Sequence, residues 1–149
     1  MMLVPQELYS RIVQVMPISC VDLLIVDGAD KVLLLLRRNA PEVGQWWFPG
    51  GRVLFGEARC DAAKRKLHEE CGLSSTRFQE MGTFDIVFDI ESDTRAHSIT
   101  TLFKVQVGIE HDVRLDHQSS EACWLTPHEW LGRELHPFVH RRLEESTKS

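Results

Sequence analysis

The five-residue run Val32-Leu33-Leu34-Leu35-Leu36 constrains the fold more than any other segment. It leaves no polar position for a solvent-facing side, so a strand here has to be covered on both faces. Ile18–Val26 is a second β-rich run, separated from residues 31–37 by Asp27-Gly28-Ala29-Asp30, where Asp-Gly is a hairpin signal. A doubly covered strand beside a second strand points to a sheet held between two layers.

Residues 57–71 are rich in Ala, Arg, Lys, Leu and Glu and stop at Gly72, which predicts a helix with a glycine stop. Residues 82–90, 97–107 and 121–125 alternate well enough for strands. Thr126-Pro127-His128-Glu129 reads as a helix start, Thr as cap and Pro in the first position. Residues 137–145 suggest a further helix, and residues 144–149 a tail. With 149 residues the whole of 1–149 is expected to form one domain.

Charge and cysteine usage narrow the function classes. Lys plus Arg number 17 against 22 Asp plus Glu, a net charge of −5, which argues against a nucleic-acid partner. Residues 32–36 are the longest apolar run, far short of the roughly 20 needed to span a bilayer, so no membrane association is expected. Residues 1–9 hold an acidic residue and no basic one, a poor secretory signal. Cys20, Cys60, Cys71 and Cys123 show no CxxC or zinc-like spacing. Free thiols in a cytoplasmic protein are the expectation.

Residues 49–73 carry the chemistry. Gly50-Gly51 lets the backbone bend and a ligand approach closely. On the helix that follows, Lys66, Glu69 and Glu70 fall at spacings of three and four and share a face. Glu69 and Glu70 beside an exposed loop carbonyl form an all-oxygen set suited to Mg2+, with Mn2+ as an alternative. Trp46, Trp47 and Phe48 precede this segment and are read as core.

Gly51, Glu57, Arg65, Leu67, Glu69, Glu70, Gly72 and Leu73 fall in register with the Nudix box, and the segment resembles it. That resemblance implies an α/β fold, an α/β/α sandwich with a mixed, mostly β core sheet flanked by helices. Lys66 departs from the pattern, standing where the box has a glutamate that ligates metal in pyrophosphohydrolases. A cation there weakens the case for several metals and leaves room for one.

Further residues resemble the GDP-mannose mannosyl hydrolase branch: Asp22, Arg37, Asn39, Pro41, Gly44, Trp46, Arg52, Thr100-Thr101, Asp116, Gln118 and Trp124-Leu125-Thr126. The resemblance implies a homodimer that hydrolyses a nucleoside diphosphate sugar, GDP-mannose or GDP-glucose, at the sugar C–O bond. The metal ligands it implies are the Gly50 carbonyl, Glu70 and Gln118. Arg37 and Arg52 would contact the diphosphate, with Arg38 an alternative to Arg37 because strand alternation lets only one face the site. Asp22 would hold the sugar or stabilise positive charge on it. Tyr9 is a candidate guanine contact. Phe103 stands where the branch has a tyrosine that contacts substrate. Ser119 stands where the branch has its basic histidine, leaving His117 as the substitute base. Two other readings stay open: a Nudix pyrophosphohydrolase cleaving P–O, and a Nudix-fold binding module without catalysis.

Overall fold

The computed structural model describes residues 3–39, 41–91, 93–109 and 111–148. Its elements run α1 (Gln6–Val15), β1 (Ile18–Val26), β2 (Val32–Arg37), β3 (Trp46–Trp47), β4 (Gly50–Arg52), α2 (Arg59–Cys71), β5 (Phe78–Glu91), β6 (Thr94–Gln106), β7 (Ser119–Leu125), α3 (Pro127–Leu131) and α4 (Pro137–Ser146).

One mixed sheet carries seven strands in the order β3-β2-β1-β6-β5, with β7 paired to β2 and β4 to β1. The central strand β1 runs parallel to β6 along its whole length. Its other edge is divided. Val26 pairs with Val32 of β2, whereas Cys20, Val21 and Asp22 pair with Arg52, Gly51 and Gly50 of β4. That division brings the Gly50-Gly51 turn against the middle of the sheet.

Residues 32–36 are covered as their composition requires. Leu33 and Leu35 face the core beneath α2 with Ala62, Ala63, Leu67 and Cys71. Val32 and Leu34 face a second core with Trp130, Val139 and Leu143 of α3 and α4. Each fully buried Leu or Val contributes roughly 1.5–3 kcal/mol, so both layers are strongly held. The Trp130 indole N–H also donates to the Val32 carbonyl (2.9 Å), fastening α3 to the sheet.

Local signals explain the helices. Thr126 and Glu129 form a reciprocal capping box ahead of α3. Gly72 ends α2 in the left-handed conformation, with φ 67°. Some boundaries differ from the sequence expectation. Glu57 precedes α2, its carboxylate accepting from the Leu54 N–H (3.0 Å). The β5–β6 hairpin starts earlier than expected, and α4 runs to Ser146, so residues 144–146 are helical and not tail. Helix α1 had no sequence prediction: Pro5 gives it no side-chain cap, and it buries none of its residues. Among the described residues no helix is long and apolar enough to cross a membrane.

Candidate functional site

Gly50 is the pivot of the site. A Cβ there would lie 2.2 Å from the Val21 carbonyl oxygen and 2.8 Å from Asp22 Oδ1, so only glycine fits against β1. Its N–H donates to Glu70 Oε2 at 2.7 Å. One glycine therefore brings two buried carboxylates, from β1 and α2, to either side of the same turn.

Asp22 lies in the cleft wall with its Oδ2 accepting from the Thr100 hydroxyl at 2.7 Å. Burial pushes its pKa up to about 6, against the lowering effect of Thr100, Arg37 and the Trp47 side chain. Burial likewise pushes Glu70 up to about 7; Lys66 and the Gly50 N–H oppose the rise, and the like charge of Asp116 adds to it. Both carboxylates are short of compensating positive charge.

Arg65 organises the turn that follows Gly51. Its guanidinium grips both oxygens of Glu57 (2.8 and 3.0 Å), donates to Glu69 (3.1 Å) and donates to the Arg52 carbonyl (3.0 Å). The paired guanidinium holds the Glu57 carboxyl below the usual carboxylate range. Lys66, the next residue, is 8% exposed at its side chain; its Nζ lies 3.4 Å from Glu69 Oε2 and 3.9 Å from Glu70 Oε2.

These groups border an open cleft of about 780 Å³. Of the predicted residues, Tyr9, Asp22, Arg37, Gly50, Arg52, Glu69, His117 and Gln118 line it. Arg37 is the inward member of its pair and Arg38 is exposed; one donor of Arg37, Nε, is taken by the Pro41 carbonyl (2.6 Å). The Arg52 guanidinium lies 4.1 Å from the centroid of the Tyr9 ring, and its buried Nη1 has no hydrogen-bond partner among the described residues. An orphaned cationic donor at a cleft wall suits an anion. Gln118 is fixed by its backbone, whose N–H bonds Asp116 Oδ1 (3.0 Å) and whose carbonyl accepts from the Arg38 N–H (3.0 Å).

Two placements depart from expectation. Phe103 does not line the cleft: it pairs in register with Leu23 and shares that residue's core beneath α2, on the face opposite Asp22 and Thr100. Glu70, predicted as a metal ligand, lies covered, 4% exposed beneath the Gly50 turn and Lys66. Sequence reasoning also missed Leu3 and Gln6, which α1 brings to the cleft, and Thr100 as the partner of Asp22. The signals for Thr100 were its place on a strand and its part in the resemblance, and neither pointed to Asp22.

The donors suit one hard cation and not a cluster. Glu70, Glu69, the Gly50 carbonyl and the Gln118 amide would each offer an oxygen donor, the preference of Mg2+. Among the described residues no group of three His, Cys, Asp or Glu side chains is placed to hold a metal. The ammonium beside Glu70 opposes a second cation.

Comparison with known proteins matches this architecture. A family profile described as "NUDIX domain" covers residues 16–146. The low-salt glycan biosynthesis protein Agl8 of Haloferax volcanii is 33% identical over 144 residues, covering 95% of this chain and 89% of that protein. The crystal structure of MutT protein from Methanosarcina mazei Go1 superposes with a TM-score of 0.69 at 25% identity, covering 89% of this chain and 97% of that one. The NUDIX domain of Shewanella oneidensis NrtR, complexed with ADP ribose, superposes with a TM-score of 0.74 at 19% identity, over 97% and 98% of the two chains.

Proposed function

Since the chain belongs to the NUDIX family and has the Nudix fold, we propose that it hydrolyses a nucleoside diphosphate sugar, GDP-mannose or GDP-glucose, at the sugar C–O bond with one bound Mg2+. The observation that carries this reading is the separation of two buried carboxylates by Gly50: Glu70 beside Lys66 on one side, Asp22 in the cleft wall on the other. Cleavage of a sugar C–O bond passes through a state with positive charge on the sugar, and a carboxylate beside it stabilises that charge. Asp22 fills that role, held by Thr100 in one orientation.

Glu70, Glu69, the Gly50 carbonyl and Gln118 would hold the cation, whose chemistry is neutralisation of the departing diphosphate. Arg37 and Arg52 bind diphosphate oxygens with planar donors, and Tyr9 packs the Arg52 guanidinium into position beside the base. Water adds to the anomeric carbon as the C–O bond breaks, and its proton passes to His117. The products are a nucleoside diphosphate and a free hexose. A homodimer in the cytoplasm belongs to the same proposal, and sedimentation velocity tests the dimer.

Similarity to Agl8, a protein named for glycan biosynthesis, supports a sugar-linked substrate. Product analysis with GDP-mannose and GDP-glucose in saturating Mg2+ tests the reading. Free hexose with GDP is expected. Hexose phosphate with GMP would assign P–O cleavage, and tight binding without turnover would assign a binding module.

A further inference from the structure

We propose that Lys66 is a direct phosphate ligand, a cation built into α2 that supplies the substrate diphosphate with charge otherwise brought by metal. This deepens the nucleoside diphosphate sugar reading and rests on it. Lys66 lines the cleft although its side chain is more than nine-tenths buried. An ammonium has three donors, and here a single hydrogen bond uses one of them, to Glu69 Oε2 at 3.4 Å. Glu70 Oε2, at 3.9 Å, is beyond hydrogen-bond reach.

The stem is closely confined. A Cβ on Gly51 would come within 2.7 Å of Lys66 Cε, so the glycine is what lets the lysine lie against the turn. The turn therefore holds the ammonium at the cleft that Arg37 and Arg52 also border. Buried donors left without acceptors are costly, and phosphate oxygens satisfy them in the charge-assisted form that lysine makes as a point charge. Arg65 is excluded from this role, since Glu57, Glu69 and the Arg52 carbonyl already engage its guanidinium.

A simpler role for Lys66 is neutralisation of Glu70 alone. Calorimetric titration of inorganic pyrophosphate into the full chain in EDTA separates the two, because only protein cations then attract the anion. The wild type is expected to bind, Lys66→Met to bind about tenfold more weakly, and the double variant Lys66→Met/Glu70→Gln to stay weak. If Lys66→Met fails to fold, Lys66→Gln takes its place in both variants. Wild-type affinity in the single variant, recovered affinity in the double variant, or no binding by the wild type would each overturn the proposal. Failure of the function reading shows separately: products other than GDP and hexose leave the pyrophosphate result standing.

Discussion

Arg65 and Lys66 follow one another on α2, yet their surroundings differ sharply. Arg65 is engaged by two carboxylates and a backbone carbonyl, with Glu57 held bidentately. Lys66 is more deeply buried and makes one long hydrogen bond. A planar fork with five donors ties the turn to the helix, while a point charge with unused donors stays available to a ligand. Architecture and chemistry thus occupy successive positions of one helix.

Glu70→Gln has the largest expected effect. Removing the charge of a metal ligand should abolish metal-dependent turnover, read by initial rates across a Mg2+ series. Stability at pH 8 should nevertheless not fall, because the wild-type carboxyl, raised to about 7, is ionised there against the cost of burial. A large loss of stability would mean that Lys66–Glu70 is as architectural as Arg65–Glu57.

Arg65→Ala comes next and should damage both properties. Breaking a largely buried pair whose Glu57 side chain is 3% exposed is expected to cost roughly 2–4 kcal/mol in urea denaturation. Turnover should fall about a hundredfold as the Gly51–Glu57 turn loosens. Lost activity with unchanged stability would place Arg65 among the ligand-facing cations.

Asp22→Asn should slow turnover by about a hundredfold at pH 8. Its stability effect has a defined sign. The folded pKa of about 6 lies above the usual 3.8, so the folded state holds the proton more tightly. The protonated acid is therefore favourable at low pH, and stability is lost as pH rises through 4 to 6. At pH 8 the neutral asparagine should be more stable than wild type by up to about 3 kcal/mol, with the difference gone by pH 4. Thermal melts across that range read it, and a pH-independent difference would contradict the burial of an ionised Asp22.

Phe103→Tyr has the smallest expected effect on catalysis. Placing a hydroxyl in the core beneath α2 should destabilise by about 1–3 kcal/mol while leaving KM unchanged. An improved KM would return residue 103 to the cleft.

The doubly covered strand at residues 32–36, the helix ending at Gly72 and the spacing from Gly51 to Leu73 were legible because local pattern alone determines them. What escaped depends on partners remote in the chain. The β6 register with β1 decides that Phe103 follows Leu23 and Thr100 faces Asp22. Helical spacing put Lys66, Glu69 and Glu70 on one face but did not show that the Gly50 turn covers Glu70 and leaves Lys66 at the cleft. Helix α1 lacks both a side-chain cap and a buried residue, so neither pattern announced it. Strands β3 and β4 have two and three residues, too few for a period to show.

The most direct test of the account is turnover of GDP-mannose in oxygen-18 water with Mg2+, followed by mass spectrometry of both products. Attack at the anomeric carbon predicts the label in the hexose and none in GDP. Label in a phosphate product would contradict C–O cleavage and assign the reaction to phosphorus.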